Sequence, residues 1–276
     1  MVTNRYRETN RRYEKNHAAC FYQQRRLITA TIQFFDLFSG IGGFREGLRR
    51  AGGFTCVGHC EVDTYADKNY RLLFDTEGEW YCSDARTIEP ERMPDFDLLC
   101  AGFPCQAFSI AGKREGFADA RGTLFFEIAR LLKAKRPNYF ILENVPGLLS
   151  HDKDKGECSG VLAEDGARAV LTPAKENVRQ NGRRMKEPEE PMFTITATDR
   201  HGILYHGRIR RLVPRECLRL QGYYDWQIDK IIDCTSDAQL YKQAGNGVTV
   251  TVIEAIGALL RKADAERKEL ELSEKG

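Results

Sequence analysis

Two residues of this 276-residue chain are placed for covalent chemistry, Cys105 and Glu143. Cys105 lies in Ala101-Gly-Phe-Pro-Cys-Gln-Ala-Phe-Ser-Ile-Ala-Gly112, behind the apolar run Phe96-Asp-Leu-Leu-Cys100. That run reads as a buried strand closing in glycine. Pro104 fixes its own φ near −65° and pushes the residue before it out of the helical region. The thiol therefore sits on a stiff turn beyond a strand's carboxyl end, where open parallel sheets keep their ligands. Glu143 and Asn144 leave a second apolar run, Tyr139-Phe-Ile-Leu142. If both runs belong to one parallel sheet, thiol and carboxylate face one cleft. A carboxyl group held there has its pKa raised by desolvation and can donate a proton near neutrality. Taken singly, a cysteine is more often a small buried hydrophobe, and a glutamate more often pairs with a lysine or arginine.

A second group of residues suits a nucleoside. Ser39-Gly-Ile-Gly-Gly43 follows the strand-like Ile32-Gln-Phe-Phe-Asp-Leu-Phe38 and opens a helix. Such a turn lets the backbone approach a cofactor and aims helix amides at it. Its spacing is not that of the dinucleotide fingerprint, and a plain tight turn would account for it equally well. Glu61 ends the next strand about twenty residues on, where an acid commonly takes ribose hydroxyls. Asp84 ends the third, placed to accept from an adenine amine. One glycine turn with two acids on consecutive strand ends describes an adenosine site better than any one of them does.

The elements that must position these groups alternate. After the first strand come a helix over 44–51 stopped by Gly52-Gly53, a strand over 54–62, and a helix capped by Asp63 running to about Phe74. A short strand at Trp80–Cys82, the strand before Cys105, a helix over 124–133 capped by Thr123, and the strand before Glu143 follow. Strands alternating with helices at this spacing predict an α/β fold with a parallel, doubly wound sheet over residues 32–150. Residues 152–200 are polar, with little periodicity except an alternating strand at Met192–Ala197. Pro214–Gln221 reads as a helix with proline in its first turn. Gly245–Ile253 leads into a last helix whose charged end, Arg261–Lys275, is expected to fray.

Composition narrows the class. With 42% hydrophobic and 30% charged residues, no apolar run near the roughly 20 residues of a membrane span, and no apolar leader, the expected location is the cytoplasm. The nine cysteines are scattered, without a CxxC pair, so reduced thiols and no metal site are expected. Residues 1–26 carry seven arginines and lysines against two glutamates, so residues 1–30 read as a basic arm that touches phosphates or a solvated terminus.

Asp36-Leu-Phe-Ser-Gly-Ile-Gly-Gly-Phe44, Gly102-Phe-Pro-Cys-Gln106, Glu143-Asn-Val145, Arg215-Glu-Cys-Leu-Arg-Leu-Gln-Gly222 and Gln243-Ala-Gly-Asn-Gly-Val248 together resemble the DNA (cytosine-5) methyltransferase family, in that family's order. The residues around Cys105 look more like the bacterial DNA enzymes of restriction-modification systems than the tRNA-modifying branch. The resemblance implies a Rossmann-like sheet and S-adenosylmethionine as methyl donor. Phe38, Ser39, Gly40, Ile41, Gly42 and Gly43 would contact the donor. Glu61 and Val62 would lie at its ribose, Asp84 and Ala85 at its adenine, and Asn246 and Val248 at its methionine side. It further implies Cys105 as the nucleophile toward a flipped cytosine, Glu143 at ring N3, and Pro104 and Asn144 as braces of loop and pocket.

The family continues past Glu-Asn-Val to a Gln-x-Arg-x-Arg motif and a target-recognition domain. Here His151-Asp-Lys-Asp-Lys155 runs within a few residues into stretches resembling the far side of that domain. The expected division is therefore a basic arm at 1–30, a cofactor and catalytic domain at 31–150, a remnant recognition segment at 151–209, and residues 210–276 returning to the catalytic domain. Arg183, Arg184, Arg208 and Arg210 are the candidate contacts to double-stranded DNA. A shortened sheet would leave apolar surface for a partner subunit or a second copy to cover. The rival expectation is a truncated cofactor-binding protein, inactive alone or one half of a split enzyme.

Overall fold

The computed structural model describes residues 31–103, 123–144, 168–171, 184–188, 190, 192–197 and 201–274. The basic arm, Pro104, Cys105, Arg183 and most of the remnant recognition segment lie outside the described residues.

Five parallel strands form the centre: β1 (Ile32–Leu37), β2 (Phe54–Cys60), β3 (Trp80–Cys82), β4 (Leu98–Gly102) and β5 (Tyr139–Glu143), in the order β3-β2-β1-β4-β5. Strand β1 lies in the middle because five of its six residues are buried, which suits a strand covered on both faces. Helix α1 (Gly43–Ala51) and the long α7 (Val250–Ser273) cover one face, where Phe44, Leu48 and Ile253 meet Phe34, Leu98 and Cys100. Helix α3 (Thr123–Lys135) covers the other, and its Ile128 and Leu131 are fully buried against Phe35, Leu37, Leu99 and Ala101. Burying each of these two side chains stabilises the layer by roughly 1.5–3 kcal/mol. Helix α2 (Thr64–Leu73) is capped by Asp63, whose side chain accepts from the amides of Tyr65 and Ala66. The parallel α/β architecture and its order agree with the alternation in the sequence.

A second, antiparallel sheet of β6 (Arg168–Leu171), β7 (His201–Tyr205) and β8 (Arg208–Arg211) follows, with α4 (Pro214–Leu220), α5 (Asp225–Ile232) and α6 (Asp237–Asn246). Met192–Ala197 does not form the expected strand. Met192 is buried beside Ile203 and Leu212, and the segment lies where its backbone touches Gly245 instead of a ladder partner. Nor does the charged end of α7 fray within the described residues. Asp264 accepts from the Tyr139 hydroxyl at 3.1 Å and pairs with Lys268 at 2.7 Å, while Arg267 donates to the same hydroxyl at 2.9 Å. The edge strand β5 carries Phe140, which is 60% exposed. Among the described residues, no helix is long and apolar enough to cross a membrane.

Candidate active site

The carboxyl ends of β1, β2, β4 and β5 share one edge, since all are parallel. The chain leaves β1 through a strained turn: Phe38 has φ 58°, Gly40 55° and Gly42 86°. Phe38 pays the left-handed penalty of a non-glycine residue, roughly 1–2 kcal/mol. At Gly42 no side chain fits, because a Cβ would lie 2.3 Å from the Phe74 ring. The amide of Gly42 donates to the Ser39 carbonyl at 2.8 Å, closing the turn into α1.

Glu61 ties this turn to β2. Its carboxylate accepts from the Gly40 amide at 2.7 Å and from the Asp63 amide at 2.8 Å. Burial pushes its carboxyl up, and those two backbone donors pull against the shift. Beside it Val62 stands 67% exposed, an apolar side chain with no cover. Above Gly40 a Cβ would meet nothing within 4 Å, and the buried Ser39 hydroxyl has no hydrogen-bond partner among the described residues. Open space, an unsatisfied hydroxyl, an acid and a bare apolar side chain fit an adenosine-bearing cofactor. Asp84 is more committed. Arg86 donates to both its oxygens, from Nε at 2.9 Å and Nη2 at 2.6 Å, and holds its carboxyl below the usual range. A carboxylate has about four acceptor sites, so capacity remains for an amine. Ala85 is buried beneath it.

The far wall of this space comes from the α6–α7 turn. Val248 packs so closely on Gly43 that a Cβ there would lie 2.7 Å from Val248 Cγ2. Asn246, the last residue of α6, is exposed. A Cβ placed on Gly102 would have Glu143 Oε2 at 3.3 Å and Val248 Cγ1 at 3.8 Å. The glycine thus leaves a gap that the Val248 side chain and the carboxylate of β5 both approach. Burial raises the Glu143 carboxyl, and among the described residues no cation or hydrogen-bond donor offsets it. Asn144 donates from Nδ2 to the Phe103 carbonyl at 3.1 Å and so ties the chain leaving β5 to the chain leaving β4.

The arginines are less uniform. Arg208 is exposed on β8. Arg210 is bidentate on Glu216, at 2.9 and 2.7 Å. That pair is solvent-exposed and worth about 0–1 kcal/mol, so a phosphate can compete for it. Arg184 supports β6, accepting from the Leu171 amide through its carbonyl at 2.9 Å.

Sequence reasoning missed Asp36 as a buried acid. It lies fully buried in β1, with Oδ1 lacking a hydrogen-bond partner among the described residues and Oδ2 accepting from the Tyr70 hydroxyl at 3.4 Å. Burial pushes its carboxyl up to about 8 from 3.8, against the pull of nearby Arg45. The folded chain therefore keeps a proton that the unfolded chain releases between those values. Stability from this group falls as pH rises through that window. Asp36→Asn cannot ionise, so it is expected to melt higher than the parent near pH 8 and to lose the advantage near pH 4. Thermal melts at the two pH values check this; an equal difference at both would refute it.

The family model for C-5 cytosine-specific DNA methylase matches residues 32–164 and 162–262. The chain belongs to this family. It is 46% identical over 153 residues to the type II methyltransferase M.HpaII of Haemophilus parainfluenzae, covering 54% of this chain and 42% of that enzyme. To M.HhaI of Haemophilus parahaemolyticus it is 48% identical over 121 residues, 44% of this chain and 36% of that enzyme. The chain thus spans less than half the length of these two curated relatives. With the orphan methyltransferase M.SPRI of Bacillus phage SPR the identity is 25% over 422 positions, reaching 82% of this chain and 96% of that protein. That alignment is longer than the chain, so a long stretch of the phage protein faces no residue here. A solved Entamoeba histolytica methyltransferase shares the fold, with a TM-score of 0.57 at 15% identity over 84% of this chain and 99% of that one.

Proposed function

We propose that the chain transfers a methyl group from S-adenosylmethionine to carbon 5 of cytosine in double-stranded DNA. The observation that carries this reading is the meeting of Glu143 and Val248 at Gly102, at the strand end leading to Cys105. Phe38 to Gly43, Glu61 with Val62, Asp84 with Ala85, and Asn246 with Val248 would hold the donor, which supplies an electrophilic methyl group on a sulfonium.

Carbon 5 of cytosine is a poor nucleophile, and the chain's residues answer that difficulty. The Cys105 thiolate adds to ring carbon 6 while Glu143 hydrogen-bonds or protonates N3, which makes carbon 5 enamine-like and nucleophilic. After methylation, carbon 5 loses its proton to a base, the carbon–sulfur bond breaks, and the aromatic ring returns with the thiolate. Carbon 6 is out of reach in a stacked duplex, so the cytosine must be flipped out. Pro104, with its fixed φ, would stiffen the chain next to the nucleophile, and Asn144 holds Phe103 just before it. Residues 31–150 and 210–276 carry this machinery in the cytoplasm. Residues 151–209 form a reduced recognition segment, and Arg183, Arg184 and Arg208 within it, with Arg210 just past it, supply phosphate contacts.

The test is incubation with tritiated S-adenosylmethionine and unmethylated duplex DNA. Label should enter DNA from the parent protein and not from Cys105→Ala. Equal counts with both proteins would end the proposal, and label only in RNA would move the substrate to the tRNA-modifying branch.

One observation favours a second reading, in which the chain works with a partner subunit or a second copy. Phe140 is exposed on edge strand β5, and a long stretch of the phage relative faces no residue of this chain. Robust turnover by the purified chain at concentrations where sedimentation shows only monomer would exclude it.

A further inference from the structure

Where α6 ends at Asn246 and α7 begins at Val250, main-chain groups are left that neither helix satisfies. One residue from another element takes four groups at this junction. Gln221, just past α4 and 7% exposed, donates from Nε2 to the Ala244 carbonyl at 2.6 Å and to the Gly247 carbonyl at 3.3 Å. Its Oε1 accepts from the Thr249 hydroxyl at 2.9 Å. Its own carbonyl accepts from the Val250 amide at 2.9 Å. Thr249 is the N-cap of α7, yet its side chain caps nothing in its own helix. The hydroxyl is given to Gln221 instead. A carboxamide head, with two donors and an acceptor together, serves two carbonyls and a hydroxyl at once.

The same turn reaches the other half of the cradle. Gly222 has φ 92° and lies against α7, where a Cβ would sit 3.2 Å from Val250 Cβ. Tyr223, buried next to it, directs its hydroxyl at the Ile41 carbonyl of the glycine turn at 3.5 Å. Gln221–Tyr223 therefore bridges the two walls between which Gly43 and Val248 meet.

We infer that Gln221 is a positioning residue, which sets cofactor affinity by holding the Ala244–Val250 turn, and with it Asn246 and Val248, against the glycine loop. Its consequence for the cofactor rests on the function proposed above; its hold on the turn does not.

The test uses the full chain with Gln221→Met, which keeps length and volume and removes all three side-chain hydrogen bonds. Amide hydrogen exchange without ligand should speed up roughly tenfold at Val248–Val250 and stay unchanged in β1 and β4. The dissociation constant for S-adenosylmethionine should rise roughly tenfold, and in turnover the rise should appear in KM rather than kcat. Thr249→Val, which removes only the hydroxyl arm, should shift both readouts less and in the same direction. Unchanged exchange in Gln221→Met overturns the inference, as does exchange that rises equally in β1, which marks a merely structural role. A loosened turn whose affinity stays at the parental value overturns the link to the cofactor. If the parent binds no S-adenosylmethionine while Gln221→Met still loosens the turn, the hold stands and the proposed cofactor falls.

Discussion

Glu143→Gln is expected to slow methyl transfer about 10²–10⁴-fold while leaving cofactor affinity within about twofold. The carboxyl stands at the end of β5, opposite the gap at Gly102, with its pKa raised by burial. On the proposed mechanism, a raised pKa lengthens the pH range over which the carboxyl holds a proton for cytosine N3. The glutamine amide can still donate a hydrogen bond to N3 but cannot transfer a proton, so part of the activation of carbon 6 survives. The sign with pH follows. Parental activity that depends on the protonated carboxyl falls as pH rises through the raised pKa, and the glutamine variant lacks that limb. Single-turnover rates across the acidic-to-alkaline range measure both effects. A variant that keeps the parental rate would remove Glu143 from the chemistry; one that also loses cofactor affinity would place it in the binding site instead.

What the sequence made legible was what burial on both faces dictates. Strands β1, β4 and β5 stood out as short apolar runs, and the glycine turn and Asp63 cap marked the helices between them. The antiparallel sheet was missed, although His206-Gly207 is a two-residue turn between β7 and β8, both residues at positive φ, 47° and 71°. Alternation at Met192–Ala197 misled because Met192 is buried by tertiary packing and not by a strand's inner face. Helices α5 and α6 were unmarked, being eight and ten residues long, with caps at Tyr224 and Ser236 that lack the usual side-chain bond to the first turn or supply it from an unusual residue. In the site, Glu61 bonds the Gly40 amide, while Glu143 and Val248 both approach Gly102. Gln221, Thr249 and Asp36 act through contacts over long sequence distances, as with Gln221 and Ala244, 23 residues apart. No local pattern encodes such a contact.

Glu61→Gln should be the second most damaging change, and it separates affinity from chemistry. The Glu61 carboxylate accepts one backbone amide on each oxygen, from Gly40 and from Asp63. A glutamine of the same shape keeps one acceptor and must point its NH₂ at the other backbone N–H. Donor then faces donor in a site only 9% exposed. Leaving that amide unsatisfied costs about 1–3 kcal/mol of stability. If the chain relaxes instead, Gly40 or the start of α2 moves, and the cradle loses its shape. Either way the carboxylate that would take the ribose hydroxyls is gone, and S-adenosylmethionine should bind at least about tenfold more weakly. Since no bond among the described residues joins Glu61 to Glu143, the loss should appear in KM for the donor and be largely recovered at saturating donor. Calorimetric titration and steady-state kinetics against donor concentration check this. A variant with parental donor affinity would show that the Glu61 carboxylate serves only the turn between β1 and α1, and the ribose contact would have to be sought elsewhere.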